Sequence, residues 1–110
     1  MSSLSTHVLD AVSGNPAAGL DVGLFKFDGE GWTSVGGGKT DVDGRIVAMG
    51  FPALEPGVYQ IVFATADYFT ATARKGFYPE VSICFEVDDE RHYHVPLLLS
   101  PYGFSTYRGS

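Results

Sequence analysis

The chain has 110 residues, 45% hydrophobic and 14% aromatic, with seven Lys plus Arg against 13 Asp plus Glu for a formal charge of −6. That suffices for one domain with a modest core over residues 1–110 and is too apolar for a disordered chain. The acidic balance without a basic run excludes nucleic acid and anionic membranes as natural partners, the single Cys84 excludes an internal disulfide framework, and no stretch is apolar for long enough to span a bilayer.

The opening MSSLSTHVLD lacks the basic and apolar regions of a secretory signal, so the expected setting is reducing and cytoplasmic. Short β segments cut by turns follow. LSTHVLDAV (4–12) is the first, broken by GNP at 14–16. LDVGLFKF (20–27) sets Val22 and Leu24 opposite Asp21, Gly23, Phe25 and Phe27. DGEG turns it into WTSVGGGKT, which Gly36 to Gly38 weaken or bulge. DVDGR turns again into IVAMGF, and EPG (55–57) leads into VYQIVFATA. DYFTATARKG breaks the pattern. Asp67 suits an N-cap, Arg74 and Lys75 a last turn and Gly76 a C-terminal stop, which predicts one short helix over 67–75 laid on a sandwich. VSICFEV alternates cleanly, with Val81, Ile83, Phe85 and Val87 on one face and Cys84 on the other, turned outward and inert. HYHVPLLLS and FSTYRGS close the chain across PYG. The turn spacing is that of an all-β sandwich or barrel.

Three histidines stand out. In a strand, residues two apart share a face, so His92, His94, Pro96 and Leu98 point one way and Tyr93, Val95, Leu97 and Leu99 the other. The second set is apolar enough to be core, which puts His94 on an outer sheet surface. His7 shares a face with Ser5 and Leu9. If the first and penultimate strands lie in one sheet, His7 and His94 could meet on its outside. A lone histidine is most simply a hydrogen-bonded surface residue. An H-x-H pair plus His7 also offers three imidazoles to a metal, and neutral imidazole is the usual general base near pH 7. Arg45 follows Asp43-Gly44 at a turn and is either a solvated side chain or a planar fork for a carbonyl-rich anion. Arg108 carries the same two readings. Pro96 inside an otherwise strong strand predicts an edge or a locally interrupted ladder.

The segments THVLDAVSGNPAAGL, TDVDGR, FYPEV and above all HYHVPLLLSPYGFSTYRGS together resemble the transthyretin-related 5-hydroxyisourate hydrolase family over essentially the whole chain. The resemblance implies a transthyretin-like β-sandwich of two four-stranded sheets with one short α-helix, assembled as a homotetramer whose outer sheet faces line a channel. It implies hydrolysis of 5-hydroxyisourate to 2-oxo-4-hydroxy-4-carboxy-5-ureidoimidazoline; no metal and no cofactor are expected, since no cysteine or carboxylate sits at a convincing spacing beside the histidines. His7, Arg45 and His94 are then the catalytic set, and Tyr107, Arg108, Gly109 and Ser110 join His7 and Arg45 in binding substrate. The hormone carrier transthyretin shares the fold but lacks this set and the YRGS ending. A non-catalytic ligand-binding protein of that type is the alternative, and a zinc hydrolase a further rival.

The residues STYRGS carry one more expectation. Strand alternation places Ser105, Tyr107 and Gly109 on one face and Thr106 and Arg108 on the other. If 92–99 is the hairpin partner, the terminal residues run back beside His94, Gly109 lets backbone approach without a Cβ, and the terminus forms part of the site.

Overall fold

A computed structural model describes residues 2–110, and residues 50–52 by their backbone alone. The described elements run β1 (Ser2–Asp10), β2 (Asp21–Phe27), β3 (Trp32–Lys39), β4 (Arg45–Leu54), β5 (Gly57–Phe63), α1 (Thr65–Ala71), β6 (Val81–Val87), β7 (Tyr93–Ser100) and β8 (Gly103–Thr106). They form two four-stranded sheets, ordered β4-β1-β7-β8 and β3-β2-β5-β6. The expected architecture of two sheets and one short helix is therefore the one observed.

Period-2 alternation decides which face of each strand is dry. On β1 the buried positions are Ser2, Leu4, Thr6, Val8 and Asp10, and on β7 Tyr93, Val95, Leu97 and Leu99 are buried on the inner face, with Pro96 buried as well. Opposite them lie Val22 and Leu24 of β2, Tyr59, Ile61 and Phe63 of β5, and Val81 and Val87 of β6. Burying one such aliphatic or aromatic side chain is worth about 1.5–3 kcal/mol. A one-residue slip of β1 would exchange Leu4 and Val8 for Ser5 and His7, so the register is strongly specified.

The centre of the first sheet is parallel. β1 pairs with β7 in unbroken register from Leu4–Tyr93 to Asp10–Leu99, while β4 and β8 add antiparallel on either side. Pro96 sits inside this sheet, and its effect is an interrupted ladder. His94 accepts a hydrogen bond from Gly109 N at 2.9 Å, so its backbone faces the β8 side. By alternation so does the backbone of Pro96, which has no N–H to give. The β7–β8 ladder accordingly covers Leu97 to Ser100 and resumes only at the isolated His94–Gly109 bridge. The expected strand through Tyr107 thus stops at Thr106, whose hydroxyl donates to Pro96 O at 2.8 Å instead.

The helix also departs from expectation. It spans Thr65–Ala71, with Ala64 rather than Asp67 at its N-cap and no side-chain cap; Asp67 lies in the first turn, and Arg74 and Lys75 lie beyond the end. Tertiary ties set this position. Thr65 Oγ1 donates to Tyr78 O and Ala66 N donates to Pro79 O, while Arg74 is drawn to Asp10. Ala73, not Gly76, takes the left-handed φ of 58°. Gly76 answers a different need, because a Cβ there would run into the ring of Phe69.

Candidate active site

Arg45 is placed by the turn before it. Asp41 Oδ1 accepts from Asp43 N at 2.9 Å and from Arg45 N at 3.0 Å, a side chain standing in for backbone. Gly44 takes φ +74°, and its carbonyl receives Val8 N at 2.8 Å. A Cβ at Gly44 would strike Val8 O, so only glycine allows this turn to press on β1. The turn delivers Arg45 as the first residue of β4, directly opposite His7. Directly paired residues share a face, so the guanidinium and the imidazole leave the sheet on the same, outer side.

His94 reaches that face from β7. The parallel register sets Ser5 beside His94 and His7 beside Pro96. Ser5 Oγ lies 2.8 Å from His94 Nδ1 and 2.8 Å from His92 Nε2, and Ser3 Oγ lies 2.5 Å from His92 Nδ1. The four side chains form a continuous line across two strands. Hydroxyls two residues apart on a strand are common, so the sequence alone does not single out either serine. Only the parallel offset between β1 and β7 shows that they meet the two histidines. His92 is joined to His94 through Ser5.

Burial depresses the His94 pKa below the ordinary 6.5, and the nearby His7, His92 and Arg45 add to the effect by opposing a further positive charge. His94 is thereby held neutral near pH 7, with its Nδ1 engaged by Ser5 and its Nε2 left for a reaction.

The residues Tyr107 to Ser110 run back along β7 as expected but divide between two surfaces. Tyr107 and Arg108 border a cleft of about 230 Å³ between the edges of the two sheets, together with Phe85, Tyr93 and Val95. The Arg108 guanidinium lies 4.4 Å over the ring of Tyr93, a cation–π contact, so it faces inward as alternation requires. Tyr93 in turn donates from its hydroxyl to Asp89 Oδ1 at 2.8 Å. Gly109 and Ser110 border an open hollow of about 410 Å³ with Arg91, His92 and Arg108. His7 and Arg45 line neither space, so one protomer does not enclose all seven expected residues in one pocket. Gly109 packs on His94 so closely that a Cβ there would collide with the imidazole.

Among the described residues, no group of three or more His, Cys, Asp or Glu side chains is gathered to hold a metal ion. No helix among them is long and apolar enough to cross a membrane.

The arrangement defines a class: a transthyretin-like sandwich carrying imidazole and guanidinium groups on the outside of one sheet, where a small polar molecule can be met. The chain belongs to the HIUase/Transthyretin family, whose model matches residues 4–109. It is 47% identical over 110 residues to the 5-hydroxyisourate hydrolase of Salmonella dublin, covering 97% of this chain and 80% of that protein. Its fold matches the solved structure of Klebsiella pneumoniae 5-hydroxyisourate hydrolase with a TM-score of 0.90 and 36% identity over 100% of both chains. Transthyretin from Sparus aurata matches with a TM-score of 0.89 and 30% identity over 96% of this chain and 95% of that one. The fold is thus common to hydrolase and carrier, and function must be argued from the site.

Proposed function

We propose that the protein hydrolyses 5-hydroxyisourate, a flat and carbonyl-rich oxidised purine, opening its cyclic amide to give 2-oxo-4-hydroxy-4-carboxy-5-ureidoimidazoline. One observation carries this reading: His7 and Arg45 pair across β1 and β4 on the outer face that His94 also reaches. A sandwich core has no use for these groups there. In the reaction a water oxygen bonds to the ring carbonyl carbon and the C–N bond breaks. Water gives up a proton and the departing nitrogen takes one. His94 is the base toward water, because its neutral form is favoured and its Nε2 is open. His7 supplies the proton to the departing nitrogen. Arg45 meets the charge that develops on the carbonyl oxygen with a fork of N–H donors. Gly109 packs on His94 from its open side, and Tyr107, Arg108, Gly109 and Ser110 border the substrate.

The outer face also carries Leu9, Leu98 and Val47, the last 73% exposed in the protomer. We take the protein to be a homotetramer in which such faces meet, which removes that apolar surface from water and closes the site around His7 and Arg45. A cytoplasmic location suits the single exposed free Cys84. Sedimentation should give a mass near four chains, and a stable monomer at working concentration removes the shared site.

The deciding experiment mixes freshly generated 5-hydroxyisourate with the protein and follows its loss against spontaneous decay. Acceleration is the expected result. A rate equal to background rejects the hydrolase reading in favour of a non-catalytic transthyretin-type binder, which explains the fold but leaves the His/Arg cluster unused.

A further inference from the structure

The line Ser3–His92–Ser5–His94 does more than orient a ring. Ser5 has one hydroxyl proton and two imidazole nitrogens at 2.8 Å, so it donates to one and accepts from the other. For His94 to offer a bare Nε2 to water, its proton must sit on Nδ1 and point to Ser5 Oγ. Ser5 then donates to His92 Nε2, and His92 carries its own proton on Nδ1, directed to Ser3 Oγ at 2.5 Å. With His94 in that tautomer, every hydrogen bond in the line runs one way, from the half-buried site toward the exposed ring of His92.

We infer that His92 and Ser5 are a proton relay for His94, carrying the proton taken from water out of the site to a solvent-facing imidazole. The transfer balances. As Nε2 of His94 takes the water proton, its Nδ1 proton passes to Ser5 Oγ, and the Ser5 hydroxyl proton passes to Nε2 of His92. His92 becomes the imidazolium and releases its Nδ1 proton past Ser3 to water. His94 ends neutral with its proton on Nε2. That proton then passes through water to His7, which gave its own to the departing nitrogen; Ser5 returns a proton to His94 Nδ1, His92 returns one to Ser5 and takes one from solvent on its Nδ1, and the line is ready for the next turnover.

The electrostatics around the two rings explain why a relay is useful. A cation on His94 would sit half-buried beside Arg45 and His7, with His92 close by, and burial disfavours it further. His92 stands exposed, bordering an open hollow with Arg91 and Arg108. Both are cationic, but Arg91 is already neutralised in part by Asp89, 3.0 Å away, and water reaches the ring. Moving the charge to His92 places it where solvent screens it. His92 and Ser5 touch no reacting atom in this scheme and act only through His94.

The direction of the line and the use made of the proton both rest on the hydrolase reading; the coupling of the two rings through Ser5 does not. Two measurements therefore separate them. Nitrogen-15 NMR of the imidazoles reads tautomers without substrate, and both His94 and His92 should carry their neutral-state proton on Nδ1, with titrations coupled in the wild type and uncoupled in Ser5→Ala. Proton on Nε2 of neutral His94 in the substrate-free protein, or uncoupled wild-type titrations, overturns the relay. In turnover, Ser5→Ala and His92→Asn should each lower kcat about tenfold, less than the about 10²–10⁴-fold of losing a direct base. KM should hold, and added imidazole buffer should restore the rate of His92→Asn. Wild-type turnover with unchanged kcat in both variants refutes the relay and leaves the hydrolase intact. No wild-type turnover refutes the hydrolase, while the NMR result still decides the relay. Unchanged melting temperatures of both variants are expected, and a loss of kcat that imidazole does not restore, accompanied by lowered melting, assigns these residues a merely structural role and overturns the proposal.

Discussion

Strand β1 carries two clusters of ionisable groups, and they follow opposite rules. At its end Asp10 points inward, 1% exposed, and every lone pair is spoken for. Its Oδ1 accepts Val12 N at 3.0 Å and Ser13 N at 3.2 Å; its Oδ2 accepts Tyr68 Oη at 2.9 Å and an ion pair from Arg74. A few residues earlier, Ser3, Ser5 and His7 point outward into a group of imidazoles and a guanidinium that share one sign of charge. The first cluster is complementary and closed, and it ties the segment after α1 to the sandwich. The second is frustrated and open, the condition under which titration and substrate binding are available. A buried charge is tolerable only when paired; a catalytic one must be left with something to do.

The comparison breaks at the outer cluster if His94→Asn or His7→Asn keeps near-normal turnover. Each should lower kcat by about 10²–10⁴-fold while the assembly and melting temperature persist. The pH profile sharpens this. With the His94 pKa lowered by burial and by the positive groups His7, His92 and Arg45, the rising limb of kcat/KM should have its midpoint below 6.5. A midpoint above 6.5 contradicts a buried, like-charged environment.

Other tests fall on the residues around the two histidines. Gly109→Ala adds one methyl group against the His94 ring, and a displacement near 1 Å can cost about 10²-fold. The loss should appear in kcat with no change in melting. Arg45→Lys should cost less, because charge survives while the fork is lost. Removing Tyr107 to Ser110 should stop turnover and leave the core intact, since the buried side chains lie on the other strands. Full activity in that shortened chain makes Gly109 and its neighbours a passive edge.

At the closed cluster the expectation reverses. Burial alone would raise the Asp10 pKa, but Arg74, the N–H groups of Ser13 and Val12 and the Tyr68 hydroxyl hold it down at about 2, against 3.8. A carboxyl lowered on folding adds stability above its unfolded pKa. That stability is lost as pH falls from about 4 through 2. The shift is worth about 2 kcal/mol. Asp10→Asn should lose about that much in denaturant unfolding at pH 7 and flatten the acid limb, with kcat nearly untouched. The smallest effect belongs to metal removal: prolonged chelation should leave turnover unchanged, and stoichiometric zinc lost together with activity would favour a zinc hydrolase.

Much of this molecule is legible in the chain. The alternation of Tyr93, Val95, Leu97 and Leu99 against His92, His94, Pro96 and Leu98 follows from the period of a strand, so the face bearing His94 could be read without coordinates. The turn residues of DVDGR and SPYG, the broken ladder at Pro96 and the return of Gly109 to His94 follow from local backbone chemistry in the same way. The helix ends were misread because Asp67, Arg74 and Gly76 have the right local chemistry but obey tertiary partners: Arg74 goes to Asp10 and Gly76 makes room for Phe69. The inter-strand offset is invisible for a like reason. Nothing local to 2–10 or 93–100 says that Ser5 lies beside His94 or that His7 faces Arg45, because strand register is set by long-range burial and by the turns that end each strand. The sequence by itself determined the residue types, their faces and the family they resemble. Tertiary structure alone decided which hydroxyl meets which imidazole, since a hydrogen bond depends on distances of tenths of an ångström that only the packed sheets supply.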